Sequence, residues 1–183
     1  MDSADIKADL TQVLHTEAEI HARIAVMSRE IEADYEGANL LLVGVLKGAV
    51  MVMADLAREL KLPIDMDWMA VSSYGAGTQS SGVVRILKDL DSDLSGRKVL
   101  IVEDIIDSGL TLTWLLGNLR SRGAASVEIC ALFRKPLAAK VVVDVRYVGF
   151  EIPNDFVVGY GLDYNERYRN LRDVAVLAPH IYS

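Results

Sequence analysis

Four consecutive aliphatic residues, Val99-Leu100-Ile101-Val102, followed at once by the acids Glu103 and Asp104, constrain this chain more than any other stretch. An unbroken apolar run, bounded upstream by Ser95-Gly96 and Lys98, is the pattern of a strand buried on both faces, as in a parallel sheet covered by helices. The two acids then mark the strand's carboxyl tip. A short loop, Ile105 to Gly109, leads into a segment where Leu112, Leu115, Leu116 and Leu119 recur with the spacing of a helix carrying one apolar stripe. The unit is strand, acidic pair, tight loop, helix, and in such sheets ligands bind at the carboxyl edge.

The loop has the composition of an anion cradle. Ser108, Gly109 and Thr111 are small or hydroxylated and stand where the first unpaired amides of the helix point outward. The glycines and Lys-Ser/Thr pair of a Walker loop are absent, which removes the usual support for nucleoside triphosphate hydrolysis. Carboxylates beside a phosphate repel it unless a divalent cation or hydroxyl donors intervene. The residues therefore suit a ligand bearing phosphate, sugar hydroxyls and bound magnesium. Taken alone, the same pattern also fits an acidic turn capped by Ser108.

The rest of the chain alternates in the same way. Thr16 and Glu19 have capping-box spacing ahead of Ile20, Ile24, Met27 and Ile31, which share one helical face until Gly37 offers a stop. Leu40 to Leu46 reads as a buried strand, interrupted by Lys47-Gly48 before a helix over about 49–60. After Pro63 the period-two pattern from Ile64 to Ala70 predicts a strand, and Val83 to Leu87 its return. Between them, the polar stretch 72–82 is expected to be a long hairpin tip, disordered without ligand and ordered with it. Ser126 to Phe133 is another buried strand, ending at Arg134-Lys135-Pro136. Residues 141–147 and 147–150 look strand-like, and Val174 to Leu177 looks like a closing strand. These elements predict one α/β domain over 1–183, with a central, mostly parallel sheet, helices on both faces, and a small hood within 135–178.

Composition narrows the partners. A chain of 183 residues, 51% of them hydrophobic, can bury a sizeable core. A net charge of -7 argues against a nucleic-acid footprint, which needs a concentrated basic face. The single cysteine, Cys130, lies in an apolar run and reads as a buried hydrophobe. His15, His21 and His180 have no partner at a metal-ligand spacing and read as structural or surface residues. The N-terminus lacks the regions of a signal peptide, and Lys47 interrupts the most apolar stretch, Leu40 to Leu56. A cytoplasmic protein without a membrane span is expected.

The run Val99 to Thr111 closely resembles the phosphoribosyl pyrophosphate motif of the type I phosphoribosyltransferases, and its wording that of their hypoxanthine-guanine branch. Further resemblance lies in Val45-Leu46-Lys47-Gly48, Ser72-Ser73-Tyr74-Gly75, Lys135-Pro136, and the segments from Val148 through Pro153 and Phe156 through Arg169. It spans roughly residues 16 to 180. The resemblance implies magnesium-dependent transfer of ribose 5-phosphate to a 6-oxopurine, with release of pyrophosphate through a transition state carrying positive charge on the ribose.

It also implies roles. Glu103 and Asp104 would bind the ribose hydroxyls with magnesium nearby, and residues Asp107, Ser108, Gly109, Leu110 and Thr111 would hold the 5-phosphate. Asp107 would be the general base. Leu46, Lys47 and Gly48 would contact pyrophosphate, with strained backbone at the Leu46-Lys47 bond; Arg169 would join them, and Ser73 and Tyr74 would close over it. Lys135 would bind the purine, Phe156 would stack on it opposite Ile105, and Val157 would offer backbone groups to its edge. Asp163 would serve the purine end and a second magnesium. A homodimer or homotetramer is expected. Two rivals are a regulatory member of the fold that binds phosphoribosyl pyrophosphate or nucleic acid, and an orotate, uracil or adenine enzyme.

Overall fold

The computed structural model describes residues 1–74 and 83–182, and the side chains of all of these except 73, 74 and 83. After a 3₁₀ turn at Ser3–Asp9, the chain forms β1 (Leu10–His15), α1 (Glu17–Asp34), β2 (Leu40–Leu46), α2 (Val50–Glu59) and β3 (Ile64–Tyr74). Then come β4 (Val83–Lys88), β5 (Lys98–Ile106), α3 (Leu110–Arg120), β6 (Ser126–Arg134) and β7 (Tyr147–Glu151). The last elements are β8 (Val157–Val158), β9 (Val174–Leu177) and the one-turn α4 (Pro179–Tyr182).

Six strands form the main sheet in the order β4-β3-β2-β5-β6-β7. The pairs among β3, β2, β5, β6 and β7 are parallel, and β4 returns antiparallel to β3. Strand alternation sorts the core into two layers. Leu40 and Leu42 of β2 and Leu100 and Val102 of β5 pack with Ile20, Ile24, Met27 and Ile31 of α1 and with Met53 and Leu56 of α2. Leu41, Val43, Val99 and Ile101 face the other way, onto Leu112, Leu115 and Leu119 of α3. Each such side chain, once fully buried, contributes about 1.5–3 kcal/mol, so the apolar runs commit the sheet to helices on both faces. The predicted capping box starts α1: Glu19 N–H donates to Thr16 Oγ1, and Thr16 N–H to Glu19 Oε2 at 2.8 Å. Cys130 is fully buried, and burial pushes its thiol up to about 12. No helix among the described residues is long and apolar enough to cross a membrane.

Two expectations are corrected. Glu103 and Asp104 are not at the strand tip, because β5 continues to Ile106. Its pairing with β2 ends at Gly44↔Val102, whereas its pairing with β6 runs on to Ile106↔Arg134. The acids are strand residues paired on one side only. Residues 141–146 are also not a strand. The amides of Lys140 and Val141 donate to the carbonyl of Ser108 at 3.0 and 3.3 Å, which engages this segment with the loop after β5 instead of a neighbouring strand. Val143 and Val145 pack against the α3 layer while Val142 is fully exposed.

A second sheet, antiparallel and three-stranded, has the order β1-β9-β8. Its first strand comes from the opposite end of the chain to the other two. His15, closing β1, stacks on Phe150 of β7 at 4.0 Å between ring centroids, and the Tyr160 hydroxyl donates to Asp55 of α2. These contacts fasten the small sheet to the large one on the side where the loops after β2 and β5 emerge.

Candidate active site

Gly109, at φ 79, is the N-cap residue of α3, so the chain turns sharply from β5 into the helix. The amides of the first turn face outward there, beside the side chains of Ser108 and Thr111. A cavity of about 200 Å³ opens at this point, lined by Asp107, Ser108, Gly109, Thr111 and Leu112 and, from β5, by Glu103, Ile105 and Ile106. Leu110 is the first helical residue, and one acid of the pair, Glu103, is in the cavity wall.

The two acids separate. Consecutive strand residues leave opposite faces: Glu103 lines the cavity, while Asp104 lies against Gly48 of the loop after β2. A Cβ at residue 48 would collide with the Asp104 carboxylate, so only glycine permits this approach. Burial, then the neighbouring Asp104 charge, holds the Glu103 carboxyl well above its usual range. Burial also pushes Asp104 up to about 6, against the pull of the Ile105 amide, which donates to its Oδ1 at 2.7 Å, and of Arg169. No hydrogen-bond donor serves the Glu103 carboxylate among the described residues. Buried carboxylates with so little compensation are the donor set that a hard divalent cation satisfies, so these residues fit magnesium. Among the described residues no three metal-capable side chains are gathered in one cluster.

A third segment closes on this point. Gly161, at φ 99, packs so tightly on the Gly48 carbonyl that a Cβ there would also collide. It leads into Asp163, whose carboxylate pairs with Arg169 Nη2 at 2.8 Å and raises the Asp104 carboxyl by its charge. Arg169 also donates to the Gly161 carbonyl at 2.8 Å. Lys47 lies across from it, after a cis Leu46-Lys47 peptide, and both cations contact Glu166. The fold therefore brings Leu46, Lys47, Gly48, Asp104, Asp163 and Arg169 together from three segments.

Lys135 emerges at the end of β6, its backbone tied to Ile106 (Lys135 N–H to O, 2.9 Å) and its exit turned by Pro136. Its ammonium has no ion pair or side-chain hydrogen bond among the described residues, unlike Lys47 and Arg169. It lines a second cavity, of about 180 Å³, with Ile106, Asp107, Pro136 and Val143. Asp107 and Ile106 line both cavities, so Asp107 stands at the junction of the cavity at the α3 N-terminus and the Lys135 cavity. Phe156 is 40% exposed, and its ring contacts are with Tyr182, stacked at 5.1 Å, and Tyr164, edge-on at 5.7 Å. Val157 belongs to β8, the edge strand of the small sheet, whose outer side pairs with no strand among the described residues. The hairpin tip 72–82 falls mostly outside the described residues, as do the Ser73 and Tyr74 side chains.

Two residues among these groups are not singled out by sequence alone: Glu166, between the cations, and Tyr182, against Phe156. The i,i+3 spacings Asp163-Glu166-Arg169 are the one local signal for the first; nothing local marks the second.

The family model described as Phosphoribosyl transferase domain matches residues 10–165. The chain is 58% identical over 180 residues to a hypoxanthine-guanine phosphoribosyltransferase of Mycobacterium avium, covering 95% of this chain and 89% of that one. It is 49% identical to the Bacillus subtilis enzyme of the same name, over 97% and 98% of the two chains. A hypoxanthine phosphoribosyltransferase crystal structure from Staphylococcus aureus superposes with a TM-score of 0.95 at 44% identity, covering 98% of this chain and 97% of that one. Together with the strand acids, the cavity at the α3 N-terminus and the convergent loops, these likenesses show that the chain belongs to the phosphoribosyltransferase family, in its hypoxanthine-guanine group.

Proposed function

We propose that this chain, acting as one catalytic domain, transfers ribose 5-phosphate from phosphoribosyl pyrophosphate to a nitrogen of hypoxanthine or guanine, releasing pyrophosphate and forming the nucleoside monophosphate for purine salvage. The observation that carries this reading is the position of Asp107, shared by the anion cradle at the α3 N-terminus and the cavity holding the unpaired Lys135.

The 5-phosphate is held by the amides of residues 107–111 and the hydroxyls of Ser108 and Thr111, where the helix end favours negative charge. Glu103 and Asp104 accept from the ribose hydroxyls. Lys47, Gly48 and Arg169 take the pyrophosphate, with the backbone from Leu46 and, on closure, Ser73 and Tyr74. Lys135 donates to the 6-oxo group, Phe156 stacks on the ring opposite Ile105, and Val157 presents backbone groups to the purine edge. Asp107 removes the purine proton as the bond to ribose forms. The pyrophosphate leaves with the electron pair of the broken C–O bond, and the charge developing on the ribose is offset by the carboxylates below it. Glu103 and Asp104, with Asp163 nearby, would hold magnesium, which would supply charge neutralisation for the diphosphate. The residues assigned here include five acids (Glu103, Asp104, Asp107, Asp163, Glu166) and three cations (Lys47, Lys135, Arg169), so a polyanion needs that help. The lone buried cysteine suits the cytoplasm, and the family pattern suits a homodimer or homotetramer.

The test is an assay with magnesium, phosphoribosyl pyrophosphate and each purine in turn, following pyrophosphate. Release with hypoxanthine or guanine is expected. Release with no base, or only with adenine, orotate or uracil, would overturn the reading.

A further inference from the structure

The Glu166 carboxylate joins two cations from separate segments. Its Oε1 lies 3.0 Å from Lys47 Nζ, and its Oε2 lies 3.3 Å from Arg169 Nη2 and 3.4 Å from Nε. A bridging anion with one oxygen toward a lysine and one toward an arginine is also the arrangement a phosphoryl group makes with such a pair.

The backbone gives this contact a second support. Tyr164 and Arg167 close a two-residue hairpin, Tyr164 N–H to Arg167 O at 3.2 Å and Arg167 N–H to Tyr164 O at 3.0 Å. Its central residues, Asn165 and Glu166, have φ of 50 and 62. Positive φ at both positions is the mark of a type I′ turn, in which asparagine followed by glycine is preferred. Glutamate therefore occupies the position where a side chain is least welcome. Asp163 steadies the arrangement, accepting the Glu166 N–H at 2.9 Å with one oxygen and facing Arg169 at 2.8 Å with the other. The Glu166 side chain is 63% exposed, so an incoming ligand can reach and replace it.

We propose that Glu166 is an internal counter-ion of the diphosphate subsite, displaced when diphosphate binds. The inference rests on the assignment above of Lys47 and Arg169 to pyrophosphate. An arriving diphosphate exchanges one anion for another and meets a like charge, so Glu166 lowers affinity for pyrophosphate and hastens its release.

The test is calorimetric titration of magnesium pyrophosphate into the wild-type protein, Glu166→Gln and Glu166→Gly. Guanosine 5′-monophosphate, which carries no diphosphate, is titrated in parallel. Both variants are expected to bind pyrophosphate about two- to fivefold more tightly, the scale of an exposed ion pair, with the monophosphate unaffected and the gain shrinking at high salt. The glycine variant also relieves the turn, so it reports even where glutamine perturbs folding. Pyrophosphate binding equal to or weaker than wild type in both variants, with the monophosphate still bound, overturns the proposal and makes Glu166 a solvated or organising residue. A wild-type protein that binds neither ligand removes the functional reading, and the proposal falls with it.

Discussion

Asp107 lines both cavities, so replacing its carboxylate separates proton transfer from binding. Asp107→Asn keeps size and loop contacts but cannot take the purine proton. It is expected to lower kcat by about 10²- to 10⁴-fold, with phosphoribosyl pyrophosphate affinity nearly unchanged; steady-state kinetics and direct titration check the two halves separately. In the proposed site Lys135 would govern base choice, because an ammonium only donates. It can serve the oxygen of a 6-oxopurine but not the amino group of adenine. Discrimination of about 10⁴-fold or more follows when a buried polar group would be left unpaired. Lys135→Gln, which donates and accepts, should narrow the hypoxanthine-to-adenine ratio of kcat/KM, and an unchanged ratio would place base selection elsewhere. Asp104 makes a prediction about stability. Its carboxyl is raised by burial to about 6 from an ordinary 3.8, so the unfolded chain gives up the proton first. Stability is lost as pH rises through this window, and above it the metal-free protein carries a penalty of about 3 kcal/mol at most. Metal-free Asp104→Asn should therefore out-melt wild type at pH 7 but not at pH 3.5, with magnesium narrowing the gap. Melts in chelator across that range decide it.

The loops meet through glycine backbone, and the sequence shows the glycines without showing what presses on them. Gly48→Ala has to displace either the Asp104 carboxylate or the loop after β2. The fold should survive, since the site lies at the sheet edge, but kcat/KM should fall by about 10²-fold, the scale of a misplacement near 1 Å in a reacting complex. A circular dichroism melt beside the kinetics separates these effects. α1 and α3 were legible because their apolar stripes and, for α1, a capping box are local patterns. β1 was not, because Leu10–His15 is short and has no buried residue, and becomes a strand only by pairing with Val174–Leu177. The stretch 141–146 misled in the opposite direction. Its valines carry β propensity, but its first amides are engaged by the loop after β5.

The balance of charge across the whole chain bears on its metal dependence. With a net charge of -7 and five acids in the proposed site, binding a diphosphate there would call for divalent cations. Turnover should vanish in excess chelator and return on adding magnesium, and full activity in chelator would contradict the reading. Sequence by itself determined the α/β alternation, the two apolar faces of β2 and β5, the turn from β5 into α3 and the buried, unpaired state of Cys130. All of these follow from periodicity or composition within about 15 residues, where neighbouring residues share one element. Tertiary structure alone decided that Glu103 and Asp104 leave opposite faces of a longer strand, that Gly48 and Gly161 lock the loops around Asp104, and that Lys47 meets Glu166 across 119 residues of chain. Those contacts depend on where each strand stops pairing and how the small sheet docks on the large one. No local pattern encodes either, because both are set by the packing of segments far apart in sequence.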